Sequence, residues 1–457
     1  FLDHNVFVGS TLIDMYAKCG SISCARQVFD NLQSRNIVSW TGLISGYIYH
    51  GCCKEAIGLY NDMIQEGVVP NEVTYLCMLK VCSRLLQLKE ARLIHDEIIR
   101  SKLESDIAIG NAMVDMYAKC QSLEEAEKIF NSLQNKDVVS WGALIGGFAQ
   151  SGDSIKALDL LQKMKQEGTV AADEIAYLSG MKAIGSIRAC KAGRVLHDQI
   201  IRCGFESHSS IGNSLVDMYA KCGSLEEAHR EFNSIHKKDA ITWGTMIGGY
   251  ALNSHGDEAF LLFEQMQRGG ICPDQATFVG VLKACGRSGA LEGGQYVHGL
   301  ILQSRFAEDK VIGNALIDMY VKCGDLWRAH RVFDTLPIRD IVSWSSMIGG
   351  YARHGFSYDA LDLYEQMHQE GLEPSRVSYL CTLQACASIG AVEYGRLVHD
   401  HIRISGLEFD MALGNTLMDL YVRYGEVERA LEVFEELPSR NLVSWNVIMD
   451  GYASHGN

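Results

Sequence analysis

The chain has 457 residues, 47% hydrophobic and 21% charged, enough apolar material for a large core, which excludes a disordered or low-complexity chain. Acidic side chains outnumber basic ones, 56 to 41, for a formal net charge of −15. That balance excludes bulk attraction to nucleic acid or an anionic membrane, so a polyanion partner needs a local basic stripe.

From the N-terminus, Val8 to Lys18 carries an apolar helical face and ends at Cys19-Gly20, where a C-cap glycine is expected. Ala25, Val28, Phe29 and Leu32 follow at i, i+3, i+4 and i+7, a second amphipathic helix. The next unit opens on Ser39-Trp40 and closes at Pro70, where a helix cannot continue. A third runs to Asp106, and the series then recurs. Trp40, Trp141, Trp243, Trp344 and Trp445 step by 101, 102, 101 and 101 residues, as do Tyr16, Tyr117, Tyr219, Tyr320 and Tyr421. His95, His197, His298 and His399 keep the same period. It divides into units 6–36, 37–71 and 72–106, of 31, 35 and 35 residues. Continuing gives 107–137, 138–173, 174–208, 209–239, 240–274, 275–309, 310–340, 341–375, 376–410, 411–441 and an incomplete 442–457. The single longer step places one extra residue near Thr169 to Asp173. Gln121 stands where the first copy has Gly20, a weaker cap, and Pro273 and Pro374 close later middle units.

No alternating strand pattern occurs, so the array reads as all-α. A hairpin of this length cannot bury both apolar faces alone, and stacking on its neighbours yields a solenoid with a long concave surface. No apolar run approaches the roughly 18 residues that cross a bilayer, and no membrane partner is expected. The cysteines number 15, odd and scattered, without any Cys-x-x-Cys; free thiols in a reducing compartment are expected, and no metal or cofactor. The chain opens at Phe1 without a basic, Ser-rich leader and stops within a unit soon after Trp445. Both ends are therefore expected to be cut, with any targeting segment or terminal domain lying outside.

Two helical-repeat families have units of this length. The tetratricopeptide pattern needs Leu-Gly at the third and fourth positions after Trp and Tyr at the seventh. Trp40 is followed by Leu43, Ile44 and Tyr47, and Ile145, Ile247, Ile348 and Met449 likewise replace the glycine. The strings from Val138 to Phe148 and from Asn111 to Cys120 instead resemble the pentatricopeptide repeat family, and the 31, 35 and 35 lengths resemble its plant subclass of P, L and S triplets. The likeness runs from about Val6 to Asn457. It implies a right-handed superhelical solenoid of helix-turn-helix repeats that binds single-stranded RNA in mitochondria or chloroplasts. The subclass implies recognition of cytidine-to-uridine editing sites, with editing-complex proteins or a deaminase supplied in trans or by a missing C-terminal domain. No small-molecule substrate is expected. The chain itself carries no catalytic constellation: only His95-Asp96-Glu97 matches half of a zinc-deaminase motif, and the other copies do not keep it.

In that family the fifth and last residues of each unit read one base. The short units pair Ser10 with Asn36, Asn111 with Asp137, Asn213 with Asp239, Asn314 with Asp340, and Asn415 with Asn441. The middle units pair Thr41 with Asn71, Gly142 with Asp173, Gly244 with Asp274, and Ser345 with Ser375, and Asn446 opens the last pair. Amides and hydroxyls can donate and accept, while Asp and Asn differ in polarity and can separate keto from amino bases. Leu76, Leu178, Val279 and Leu380 hold the fifth place of the third unit type and cannot read a base edge. The resemblance thus implies A-A-n-U-(G/U)-n-U-(G/U)-n-U-n-n-(C/U)-(C/U) from 5′ to 3′. Val38, Val139, Ile241, Val342 and Val443 are candidates for clamping base faces. Lys18, Lys119, Lys221, Lys322 and Arg423, one cation per period, are candidates for phosphate.

Plainer readings stand beside these. Asn111, Asn213, Asn314 and Asn415 follow Gly before a helical run and could be N-caps. Asp137, Asp239 and Asp340 could serve a helix dipole, and Lys18 and Lys119 could pair with Asp14 and Asp115 at i−4. The recurrent Trp and Tyr read as interhelix packing, and Cys120, Cys222 and Cys323 as small buried filler. A peptide-binding scaffold without any RNA role is the alternative function; the recurrent Asn with Asp at fixed offset favours RNA.

Overall fold

The computed structural model describes residues 6–167, 172–407 and 410–454. Among the described residues it holds 27 helices and no strand. They fall into two compact units, Phe1–Ser224 and Leu225–Asn457, and each is a run of antiparallel hairpins.

Hairpins alternate a first helix with a second. First helices open at Val6, Ile37, Glu72, Ile107, Val138, Glu174 and Ser209 in the first unit. In the second they open at Ala240, Gln275, Lys310, Ile341, Arg376, Met411 and Leu442. Within each unit, first helices pack on their own second helices and on the first helix of the next hairpin wherever that unit contains them. The second helices of the short repeats, such as Ile22–Asp30 and Leu123–Ser132, have 9 or 10 residues. Those of the longer repeats, such as Cys53–Gln65, Ser154–Glu167 and Leu291–Leu302, have 12 to 14.

Most of the recurrent aromatics are buried in the hairpins, Trp40, Trp141, Trp344, Tyr117, Tyr219, Tyr320 and Tyr421 fully, whereas Trp445 is half exposed. Trp40, Trp141, Trp243, Trp344 and Trp445 meet Phe29, Phe130, Phe232, Phe333 and Phe434 edge to face, at centroid distances of 4.6, 4.7, 5.0, 4.7 and 4.8 Å, the preferred geometry of ring pairs. Each indole thereby ties the first helix of a middle repeat to the second helix of the short repeat before it.

Close approach between successive first helices also uses a glycine, displaced two residues from the tetratricopeptide position. A Cβ on Gly46 would lie 2.7 Å from Ala17 Cβ, and one on Gly147 would lie 2.5 Å from Ala118 Cβ. The missing glycine after Trp is therefore no sign that the helices stand apart.

Two details of helix ends differ from the sequence reading. The second helices of middle repeats end before the prolines, at residues in left-handed conformation: Gly67, Gly270 and Gly371 have φ of 76, 71 and 75°. Pro70, Pro273 and Pro374 instead directly precede the N-caps Asn71, Asp274 and Ser375. Cys120, Cys222 and Cys323 are half-buried C-caps rather than buried filler. The thiols of Cys120 and Cys323 point at the carbonyls of Cys82 and Cys285, at 3.8 and 3.7 Å. All 15 cysteines are free thiols. The extra residue expected near Thr169 to Asp173 lies largely in 168–171, outside the described residues.

Candidate nucleic-acid interface

The last residue of each unit is the N-cap of the next first helix. Asn36, Asn71, Asp137, Asp173, Asp239, Asp274, Asp340 and Ser375 are extended and accept the N–H three residues on. The distances run from Ser140 N to Asp137 at 2.8 Å up to Ser378 N to Ser375 at 3.2 Å. Asn441 does the same for Ser444 at 2.9 Å. These caps satisfy helix-end donors and fix each polar head at the start of a helix.

The fifth residues sit one turn inside their first helices. The N-cap alternative for Asn111, Asn314 and Asn415 is thereby overturned: their helices begin four residues earlier, capped by Asp106, Asp309 and Asp410. Asn213 is likewise interior to Ser209–Lys221. The preceding glycine serves packing instead, since a Cβ on Gly110 would stand 2.4 Å from Leu133 Cδ2.

Fifth and last residues of one repeat come together. Asn111 Nδ2 donates to both Asp137 oxygens at 3.0 and 3.1 Å, and Asn314 Nδ2 donates to Asp340 Oδ1 at 3.1 Å. Ser10 reaches Asn36 at 3.4 Å, and Ser345 reaches Ser375 at 3.2 Å. Thr41 and Asn71 are bridged by the Thr74 hydroxyl at 2.9 and 2.8 Å, and Asn415 and Asn441 by that of Ser444 at 2.9 and 3.0 Å. Asn213 belongs to one compact unit and Asp239 to the other; each occupies the same local position in its own helix.

Asp239 titrates below the usual carboxylate range because the Thr242 N–H and hydroxyl hold its charge. For Asp340, burial pushes upward but is outweighed by the Ser343 N–H, Asn314 and Lys310, so it too is lowered. Both are acceptors at neutral pH. Asn111 and Asn314 keep a buried Oδ1 without a hydrogen-bond partner, a polar atom whose desolvation is uncompensated.

The two Gly/Asp pairs differ. A Cβ on Gly142 would meet nothing nearer than Ile175 Cγ2 at 3.7 Å, whereas at Gly244 it would lie 2.7 Å from the Thr277 hydroxyl. Gly142 opens into a cavity of about 650 Å³ that also takes in Asn111, Asp137, Val139, Asp173 and Lys119. Asn446, in helix Leu442–Ser454, is exposed.

Val38, Val139, Ile241, Val342 and Val443 stand on this face with 52–59% of their surface exposed, a costly place for aliphatic groups that have nothing to cover them. The sequence reading missed their counterparts in the third and short repeats, Val73, Ile175, Val377 and Val311, which are exposed in the same way. The signal was the second position of each unit, which recurs in every unit type. Leu76, Leu178, Val279 and Leu380 are half-buried.

The expected basic stripe is not a net positive one. Lys18, Lys119, Lys221, Lys322 and Arg423 each pair with an acid at i−4, namely Asp14, Asp115, Asp217, Asp318 and Asp419, at 2.7, 2.7, 2.5, 2.6 and 2.7 Å. The ridge is a row of neutralised pairs. The histidines are tied to the core: His95, His197, His298 and His399 bond through Nδ1 to Tyr117, Tyr219, Tyr320 and Tyr421 at 2.9, 3.0, 2.9 and 3.0 Å.

Family models match most of these hairpins: one described as PPR repeat family at residues 35–84, 238–287 and 339–388. Another, described as PPR repeat, matches 10–37, 73–103, 111–138, 139–169, 213–238, 314–340, 415–442 and 443–457. A chloroplastic pentatricopeptide repeat-containing protein of Arabidopsis thaliana is 33% identical over 457 residues, all of this chain and 74% of its own length. The chain belongs to the pentatricopeptide repeat family. A mitochondrial pentatricopeptide repeat-containing protein of the same plant is 32% identical over 97% of this chain and 43% of its own length. Among solved structures, the maize pentatricopeptide repeat protein PPR10 has a TM-score of 0.59 at 19% identity, covering 99% of this chain and 72% of that one. PPR10 in complex with an 18-nt psaJ RNA element scores 0.60 at 16% identity, over 99% and 77%. These likenesses establish a pentatricopeptide fold.

Proposed function

We propose that this pentatricopeptide protein binds single-stranded RNA along its first-helix row, one base per hairpin, in a chloroplast or mitochondrion. One observation carries the reading: the fifth and last residues, far apart in sequence, converge within repeats, and around Asn111, Asp137, Gly142 and Asp173 they share a cavity with exposed Val139 and Ile175. A base lying between successive second-position side chains would present its Watson–Crick edge to the polar pair, the mode by which helical repeats read one base at a time. Reading uracil requires the Asn111 amide to release Asp137, so that the carboxylate accepts the base N3–H and the amide N–H donates to a base carbonyl. The relatives' names, chloroplastic and mitochondrial, support an organellar home, and the RNA bound by PPR10 supports the ligand class.

The alternation of second helices of 9 or 10 residues with others of 12 to 14 supports the P, L and S subclass, and with it a role in specifying a cytidine-to-uridine editing site. The deamination itself would come from a further domain or a partner. In binding assays, an RNA carrying the 14-position pattern above should bind at least about tenfold tighter than its scramble and than the same sequence as DNA. Equal affinity for all three would refute sequence reading and leave the peptide-scaffold alternative.

A further inference from the structure

Away from the first-helix row, one copy of the long period carries aromatics where the others do not. Trp327, Phe356 and Tyr358 are 64, 53 and 72% exposed. At the place of Trp327 the other copies have Ser23, Glu124, Glu226 and Glu428, and at that of Phe356 they have Cys52, Asp153 and His255. Tyr358 is matched by Lys54, Ile155 and Asp257. Repeat packing therefore does not demand aromatic rings here. Exposed aromatics concentrated at one spot mark a binding surface.

Trp327, Tyr351 and Phe356 line an open cleft of about 710 Å³ together with Asp325, His354 and Asp359. The Tyr351 and Phe356 rings stand at 83° with centroids 6.2 Å apart. Arg331 covers one face of Trp327 at 4.9 Å. Asp325 is held by Arg328 at 2.5 Å, while Asp359 is exposed.

The second copy shows what such a place takes. There Phe148 stands for Tyr351 and Lys156 for Asp359, and the Lys156 ammonium lies 5.9 Å from the Phe148 ring centroid and 2.9 Å from Glu127. The fourth copy has replaced that internal cation by a carboxylate and added aromatic walls. Its charged lining is acidic and its faces are π-rich, the combination that attracts an ammonium or guanidinium.

We propose that this cleft receives an arginine or lysine side chain from a protein segment docking on the second helices. The inference is independent of RNA reading. The test is fluorescence anisotropy of dye-labelled Gly/Ser peptides bearing one central Arg, Lys or citrulline, at up to millimolar chain. Saturable binding of the Arg and Lys peptides is expected, with the neutral citrulline peptide at least about tenfold weaker. Trp327→Ser and Asp359→Lys each install a residue that another copy carries at that place, so folding should survive; both should weaken binding about tenfold while leaving RNA affinity unchanged. Equal binding of citrulline, no effect of either variant, absence of saturable binding, or displacement of the peptide by single-stranded RNA would each overturn the proposal.

Discussion

Gln121 shows how a single position departs from its repeat. Gly20, Gly223, Gly324 and Gly425 end the corresponding helices with φ of 80–85°, and Gln121 adopts φ 61° at the same place. A side chain in the left-handed region costs roughly 1–2 kcal/mol. Gln121→Gly should therefore raise unfolding free energy by about 1 kcal/mol in urea titration; a loss of stability would show that Gln121 makes a compensating contact. That weakness was legible in the sequence because the repeat supplied four controls. The roles of Asn111 and Asp106 were not, since Gly110-Asn111 imitates a helix start. The true cap, Asp106, lies five residues before Asn111, and Gly110 answers to Leu133, 23 residues downstream. Gly142 and Gly244 were also indistinguishable, because the Thr277 hydroxyl that fills one site and not the other comes from the following repeat.

At the scale of elements, the histidine–tyrosine bonds join the second helix of each third repeat to the first helix of the short repeat that follows. Burial, with Arg328 nearby, holds the His298 imidazolium pKa below its ordinary 6.5, so the folded chain favours the neutral ring that faces Tyr320. The unfolded chain takes up the proton first as pH falls. Stability is thus fully present above pH 6.5 and declines below it, by at most about 1.4 kcal/mol per pH unit for one such group. The melting temperature should drop between about pH 7.5 and 5.5, and His298→Gln should flatten part of that dependence. An unchanged slope in the variant would place the responsible proton elsewhere. The order of the helices and the length of each repeat were legible in the period of Trp, Tyr and His. The ends of the second helices were not, because both Gly67 and Pro70 are stop signals and only their distance from Met63, whose carbonyl accepts the Val68 N–H at 3.1 Å, separates them.

For the whole molecule, charge is the governing quantity. The chain totals −15, and the cations aligned along the first helices are each neutralised by an aspartate at i−4. Phosphate must compete with those carboxylates, at a cost of about 0.3–0.5 kcal/mol per exposed pair. Asp318→Asn, which frees Lys322, should tighten RNA binding about twofold and steepen its salt dependence by roughly −0.7 per added phosphate contact. Unchanged affinity and slope would remove Lys322 from the RNA path. The period of the array made the ridge visible in sequence, and the i−4 spacing foretold the pairs that empty it of net charge.

The most direct test concerns the polar pair itself. Asp340 and its Asn314 partner can be altered without disturbing the cap, because Asn caps equally well at Asn36 and Asn71. Asp340→Asn, read by selection of RNA ligands from a randomised pool, should move preference at that one position from uracil toward cytosine by about 1 kcal/mol or more, leaving the other positions unchanged. Uracil retained at that position, or a uniform loss of affinity across all sequences, would contradict one-base-per-hairpin reading by these side chains.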